Sequence, residues 1–262
     1  MNRKRLLMGL GAVAAGLVLL GILGAANYVA AQRKAAAFSL KASATPSPPP
    51  ATASATPAGL QTACPTPASV PRGEDLWVVR AGTQAGYRAH ETFMDIILPH
   101  EAVARTDQVA GNLRVHQVAA NQVVIQGGCF AIQLDSLTSI DTLPGRRAQD
   151  RDELYRDFLD TGAYPYAVLS LNHATVPVFA GQPRHMTLAG ELTVAGSTRP
   201  VAIAVDAQTA SGAVHAVGSM AINTTDFGIR LPGEGDPIVV DPHLTLEFFL
   251  ALERVDRPAG AH

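Results

Sequence analysis

The stretch Leu244-Thr245-Leu246-Glu247-Phe248-Phe249-Leu250-Ala251-Leu252-Glu253 decides the fold class of this chain. Its leucine and phenylalanine side chains at even positions alternate with Thr245, Glu247 and Glu253. Because successive side chains of a β-strand point to opposite faces, this period of two predicts a strand with an apolar face turned inward and a polar face turned to water.

The same alternation recurs upstream. Residues 186–194 and 201–205 form two alternating runs, and Gly196-Ser197-Thr198 between them predicts a turn that joins two strands. Similar short runs bring the total to about eight or nine strands: Leu76–Ala81, Tyr87–Phe93, Val109–Val115, Val123–Leu134, Tyr166–Asn172 and Val214–Asn223. The Gly127-Gly128 pair inside one of these runs predicts a bulge or a close backbone approach.

One short amphipathic helix is predicted from Asp150 to Asp160. Leu154 and Phe158 lie four residues apart there, and Gly162 is placed to end the helix. Its acidic residues are interpreted as a solvated face that is balanced by Arg147, Arg151 and Arg156. Many short strands with a single helix favour an all-β closed antiparallel barrel over a sandwich, and about eight strands make a barrel just wide enough for one small ligand.

The N-terminal part predicts a membrane anchor. Residues 6–31 carry no charge, and these 26 residues exceed the ~20 that a membrane-spanning helix needs. We expect residues 1–5 in the cytoplasm, a single transmembrane signal anchor over residues 6–31, and an extracytoplasmic remainder attached to the cell membrane. The alternative is a cleaved signal peptide that ends near Val29-Ala30-Ala31.

Residues 32–73 are predicted to form a tether. The segment 42–73 holds eight of the eighteen prolines, and Arg72 is its only charged residue. Such a composition is typical of an extended linker. The folded domain is expected over residues 74–256, followed by a tail over residues 257–262.

The predicted domain is similar to the YceI-like family, especially to its membrane-anchored bacterial members, from Leu76 to Val255. The resemblance depends on the order and spacing of these segments: Trp77, Gly86-Tyr87-Arg88, Val103-Ala104-Arg105-Thr106, Val109-Ala110-Gly111, Leu137–Thr142, Arg146–Pro165, Leu188–Thr193, Thr198–Val201 and Asp226–Ile229. The resemblance implies a lipocalin-like antiparallel β-barrel with an elongated apolar interior. It also implies binding of a polyisoprenoid or another long-chain amphiphile.

Whether the barrel is hollow or filled stays open at this point, because both have inward-facing apolar residues. Six aromatic residues are candidates for contacting a ligand, with plain core packing as the alternative for each. They are Phe93, Phe130, Phe158, Tyr164, Phe227 and Phe248. The unusually apolar segment from Phe93 to His100 is interpreted as a lid over the barrel mouth or as a packed loop.

No catalytic pattern is found in the sequence. There is no Gly-x-Ser-x-Gly elbow, and Ser197 lies in a turn between two strands. The eight histidines are dispersed, without the close spacing of local zinc motifs. We therefore expect no enzyme activity, no metal and no cofactor, and the net charge of −2 gives no indication of a nucleic-acid partner.

Two questions stay open from the sequence. Cys64 in the tether and Cys129 in a strand either form a disulfide or remain a free thiol and a small buried residue. The protein is either a membrane-tethered, non-catalytic carrier for a membrane lipid or isoprenoid, or a ligand-free scaffold that is displayed on a stalk for an envelope partner. Homodimer formation is not decided by these patterns.

Overall fold

The computed structural model describes residues 35–40, 58–178, 182–210 and 212–255. The predicted membrane span over residues 6–31 lies outside these residues. Within the described ranges, no helix combines the length and the hydropathy of a membrane-spanning segment.

Antiparallel β-strands dominate the described residues. Their bounds are β1 Glu74–Val79, β2 Gln84–Phe93, β3 Ile96–Thr106, β4 Val109–Ala119, β5 Gln122–Gln133, β6 Thr138–Ser139, β7 Tyr166–Leu171, β8 Ala174–Pro177, β9 Arg184–Val194, β10 Ser197–Ala210, β11 Ala213–Asn223, β12 Ile238–Val240 and β13 His243–Arg254. In the part of the chain that the structure describes, two α-helices, α1 Ala58–Ala63 and α2 Ala148–Phe158, and the short 3-10 helices Leu134–Ser136 and Thr224–Phe227 complete the elements.

Eight of the strands close into a barrel in the order β1-β4-β5-β7-β9-β10-β11-β13. The ring closes because β1 also pairs with the end of β13, with Trp77 opposite Arg254 and Val79 opposite Leu252. The beginning of β13 pairs with β2 instead, with Thr245 opposite Arg88. Strands β3 and β12 both pair with β2, β6 pairs with β3, and β8 pairs with β5. The predicted all-β closed barrel is therefore confirmed, and the helix predicted from Asp150 to Asp160 is found at Ala148–Phe158.

Strand β13 has the predicted sidedness, with one addition. Its even-numbered side chains from Leu244 to Leu252 face the interior, and Glu247 is on the outer face. Glu247 is nevertheless buried, because Arg88 Nε and Arg105 Nη2 lie 2.9 and 2.7 Å from its carboxylate oxygens. Gly86 lies between these groups on β2, and a Cβ there would clash with the backbone oxygen of Ala104. A glycine at this position thus lets the side chains of two flanking strands meet across β2.

The segment from Phe93 to His100 is neither a lid nor an irregular loop. Met94 and Asp95 form a tight turn, and β3 begins at Ile96 and pairs with β2 from there on. The apolar residues at 96–98 belong to this hairpin, and isoleucine suits a strand. The predicted irregularity at Gly127 is confirmed, since its φ is 155° and the β4–β5 register shifts opposite it, between Arg114 and Val115.

The last part of the predicted tether packs on the barrel, so the prediction of an extended linker needs correction for residues 58–73. Helix α1 buries Leu60 completely against Ala110 and Ala131. Cys64 and Cys129 form a disulfide with a Cα–Cα distance of 5.6 Å. The high content of Pro, Ala and Thr gave no indication of this contact, because only Leu60 and Cys64 are buried in it.

Residues 35–40 also contact the barrel. The Arg105 guanidinium lies 3.8 Å from the centroid of the Phe38 ring, and the same side chain donates a hydrogen bond to the backbone oxygen of Ala36. An arginine above an aromatic ring is a favourable cation–π arrangement. The chain before the barrel is therefore held at two places, on the outer face of β3 and at the disulfide.

Candidate functional site

The barrel encloses a cavity of about 170 Å³. Along β13 its wall is formed by Leu244, Leu246, Phe248, Leu250 and Leu252. At about 3.4 Å per residue, these positions extend over about 27 Å of strand. Apart from β1, each strand of the ring contributes at least one side chain to the wall. Thr224 of the second 3-10 helix also lines it. The barrel is therefore hollow, which the sequence pattern left open.

The wall is almost entirely apolar. Its described residues include no lysine, arginine or histidine, and Glu247 is the one acidic residue among them. Since the Glu247 carboxylate is paired with Arg88 and Arg105 on the outer face, it brings no unpaired charge to the interior. The hydroxyls of Tyr87, Tyr155 and Thr224 are the remaining polar groups of the wall. A cavity of this kind suits an apolar ligand, because apolar cavities of comparable size stay dry and accept hydrocarbons.

Two of the six predicted aromatic residues lie on this wall. Phe130 and Phe248 face the cavity, and the Phe248 ring lies against Gly218, where there is no side chain to displace it. Their contact with a ligand stays a prediction.

The other four predicted aromatic residues lie elsewhere. Phe93 is buried, with the Arg146 guanidinium 5.1 Å from its ring centroid, and Phe227 belongs to the hydrophobic core. Phe158 is half-buried at the end of α2, and Tyr164 is 42% exposed above Gly196. The aromatic type alone does not tell a wall residue from a core residue, because that depends on where each segment enters the barrel.

Sequence reasoning missed the two tyrosines of the wall. The rings of Tyr87 and Tyr155 pack together with their centroids 5.2 Å apart. The alternation of Ala85, Tyr87 and Ala89 in β2 was the available signal, since these three residues share the inward face. No sequence pattern indicated Tyr155, because the packing of its helix against the barrel is visible only in the tertiary structure.

Helix α2 is attached to the barrel by a buried ionic cluster of Glu91, His100, Asp141 and Arg151. Arg151 Nη2 lies 2.7 Å from Asp141 Oδ2, and Arg151 Nη1 lies 3.5 Å from Glu91 Oε2. His100 Nε2 lies 2.6 Å from the same Asp141 oxygen. The Tyr155 hydroxyl donates to Glu91 Oε1 at 2.6 Å, which connects the cluster to the cavity wall.

The interpretation of the acidic helix as a solvated face is wrong for its inner side. Arg151 and Asp152 are both buried, and Asp152 accepts hydrogen bonds from the backbone N–H and the hydroxyl of Ser139. Arg151 and Tyr155 are four residues apart and share one face of the helix. A buried charged face is possible here because partners from β2, β3 and the segment after β6 satisfy it.

The surroundings of the cluster alter the acidity of its members. Burial raises the pKa of the Glu91 carboxyl, and the hydrogen bond from Tyr155 and the charge of Arg151 only partly offset this. Burial would also raise the pKa of Asp141, but hydrogen bonds from His100 and the Val103 N–H, together with Arg151, hold it below its usual value. Burial raises the pKa of the Tyr87 and Tyr155 hydroxyls well above the usual value, so both remain neutral at physiological pH.

A closed antiparallel barrel around an apolar cavity defines a class of proteins that can enclose a small apolar ligand. The chain belongs to the YceI-like family, because the model of the YceI-like domain matches residues 83–252. The predicted YceI-like family is thereby confirmed, while the resemblance to its membrane-anchored members stays a prediction. A comparison with curated proteins finds no match.

Several solved structures are similar to the chain at low identity. Burkholderia cenocepacia BcnA is 15% identical, with a TM-score of 0.47, over 66% of this chain and 98% of that one. A polyisoprenoid binding domain from Saccharophagus degradans, implicated in plant cell wall breakdown, is 12% identical, with a TM-score of 0.47, over 69% and 98%. The Campylobacter jejuni YCEI protein is 11% identical, with a TM-score of 0.36, over 64% and 85%. At such values the family assignment depends on the domain model alone.

Proposed function

We propose that this protein is a non-catalytic carrier that holds one long-chain amphiphile, such as a polyisoprenoid, inside its barrel. The observation that carries the proposal is the hollow apolar interior, with side chains from nearly every strand of the ring on its wall. The alternative, a ligand-free scaffold, is expected to have a solid barrel and is less compatible with this interior. An unfilled cavity lowers the stability of a protein, and a scaffold that binds no ligand gains nothing from one.

The shape of the cavity favours a chain-like ligand over a compact one. The wall extends over about 27 Å of β13, which is longer than the ~15 Å of hydrocarbon in one leaflet of a bilayer. A volume of about 170 Å³ spread over such a length is narrow. Met186 and Met220 add flexible side chains to the wall, which can adjust to the width of a ligand.

Ala216→Phe is expected to abolish lipid binding. Ala216 faces the cavity from β11, and the cavity is narrow. A phenyl ring at position 216 should therefore obstruct the space that a chain-like ligand needs. The measurement is the intact mass of the full chain isolated from its host, before and after organic extraction of bound lipid.

The matched control for this variant is Ala221→Phe, because Ala221 lies on the same strand with its side chain exposed. We expect the wild type and the control to retain one lipid per chain and Ala216→Phe to retain none. A wild-type chain that carries no lipid, and takes up none when a polyprenol is added, would instead support the scaffold.

We further propose that residues 6–31 anchor the protein in the cell membrane with the barrel on the extracytoplasmic side. The uncharged length of this segment supports the anchor. The Cys64–Cys129 disulfide supports the location, because disulfides persist in oxidising compartments and are rare in the cytosol. An anchored carrier would stay beside the membrane that supplies its ligand.

The anchor is tested by fractionating host cells and washing the membranes with alkaline carbonate. The full chain should remain in the membrane fraction with an intact mass that includes residues 1–31, and a variant without residues 1–34 should not. A membrane-free protein whose mass begins directly after Ala31 would show that the segment is a cleaved signal peptide.

A further inference from the structure

Among the described residues that line the cavity, Thr224 has a buried hydroxyl without a hydrogen-bond partner. Thr224 is 1% exposed and lines the cavity, and its Oγ1 has no hydrogen-bond partner among the described residues. A buried hydroxyl without a partner costs free energy, so such groups are rare in folded proteins. The other hydroxyl that joins the wall to the ionic cluster, that of Tyr155, is already used as a donor to Glu91.

The backbone holds Thr224 firmly in this position. Thr224 begins the 3-10 helix that follows β11, and its N–H donates to the oxygen of Pro242 at 2.9 Å. Its own backbone oxygen accepts from the N–H of Ile229 at 3.1 Å. Asn223 caps the helix by accepting from the N–H of Thr225, and Gly228 ends it with a φ of 77°. Thr224 is thus held at the cavity wall by a hydrogen-bonded turn.

The charged groups around this end of the cavity limit which ligand groups can bind beside Thr224. Thr224 and the ionic cluster share one end of the barrel, since β11 ends beside the beginning of β13, and Glu91 pairs with Val240 just before β13 begins. The arginine of the cluster, Arg151, is already paired with Asp141 and Glu91. No lysine, arginine or histidine lies on the described wall. A phosphate or carboxylate brought to Thr224 would therefore remain an unpaired buried charge, which is strongly unfavourable.

We propose that the Thr224 hydroxyl is the hydrogen-bonding contact for an uncharged oxygen-bearing group of the ligand, such as the hydroxyl or carbonyl of a long-chain alcohol or ketone. An anionic head group is not accepted at this end of the cavity. This inference rests on the proposed carrier function, and it specifies the chemical class of the ligand group that lies at this end of the cavity.

The test compares three probes that share one C20 chain, namely geranylgeraniol, its diphosphate, and the corresponding hydrocarbon without an oxygen. Dissociation constants are measured with the full chain, for the wild type, Thr224→Val and Ile222→Val. Valine has nearly the same shape as threonine and has a methyl group in place of the unpaired hydroxyl. Ile222→Val is the control, because Ile222 lines the same end of the cavity without a polar atom.

Thr224→Val is expected to weaken binding of the alcohol by about five- to tenfold relative to the hydrocarbon, which is the size of one neutral hydrogen bond. Ile222→Val should change both affinities alike and leave their ratio as in the wild type. The diphosphate should bind the wild type less tightly than the alcohol. Thr224→Ser should retain the preference for the alcohol, which guards against a folding defect at this position.

The outcomes separate this inference from the carrier function. If Thr224→Val leaves the ratio of the alcohol to the hydrocarbon unchanged, or if the diphosphate binds tightest, the assignment of Thr224 is overturned and the carrier function stands. If none of the three probes binds the wild type, the carrier function itself fails.

Discussion

Replacing Arg151 by methionine is expected to lower the free energy of unfolding by about 3–5 kcal/mol. Methionine has a similar length and no charge, so the Glu91 and Asp141 carboxylates would stay buried without their cation. An uncompensated buried charge is among the most destabilising changes known in proteins. For a domain of this size, the loss corresponds to a decrease of about 6–20 °C in the unfolding temperature.

The loss should depend on pH in a defined direction. Without Arg151, the pKa of the Glu91 carboxyl, which burial already raises, should rise further above that of the unfolded chain. A raised folded pKa contributes stability that is present below the unfolded pKa and is lost as the pH rises through the folded pKa. The deficit of Arg151→Met should therefore be larger at pH 7 than at pH 4.5.

The measurement is urea unfolding of the wild type and the variant at both pH values. Arg147→Met provides the control, because Arg147 directly precedes the same helix with its side chain 79% exposed, and its partner Asp150 is exposed as well. Exposed pairs of this kind contribute little, so the control should unfold like the wild type. A deficit of Arg151→Met that is equal at pH 7 and pH 4.5 would mean that lost packing, and not charge, causes it.

The double substitution of Cys64 and Cys129 by serine should cost about 4 kcal/mol, because the disulfide closes a long loop and restricts the unfolded chain. The two cysteines are 65 residues apart in sequence. Loss of the disulfide should also release helix α1 from the barrel. Leu60 in the helix and Cys64 directly after it are the buried contacts of this segment. The measurements are urea unfolding and hydrogen exchange of residues 58–64.

A reducing agent separates the effect of the bond from that of the substitutions. Reductant should destabilise the wild type by a similar amount and leave the double variant unchanged. A double variant as stable as the oxidised wild type would contradict the role of the disulfide as a clamp between the N-terminal segment and the barrel.

Much of the barrel could be predicted from short-range patterns. The alternation in β13 assigned its inner and outer faces correctly, and the turn at Gly196 was recognised from a glycine beside small polar residues. These features depend on contacts between near neighbours in sequence and on the geometry of a single strand. The family resemblance added the overall architecture, which the domain match confirms.

The candidate site was predicted less well. Phe130 and Phe248 were placed among the candidates and lie on the cavity wall, while Tyr87, Tyr155 and Thr224 were missed. The missed residues are recognisable only once β2, helix α2 and the turn after β11 are brought to one end of the barrel. No short-range pattern contains that information, because the three residues lie more than sixty positions apart in the chain.

The sequence by itself determined the eight strands of the ring and their inward and outward faces, since these follow from a period of two along a single segment, but it missed β3. Only the tertiary structure decided that the barrel is hollow, that Arg151 and Glu91 are buried together, and that Cys64 reaches Cys129. The physical reason is that closure of the ring sets the distances between inward-facing side chains. Those distances decide whether the side chains fill the interior and which buried charges meet a partner.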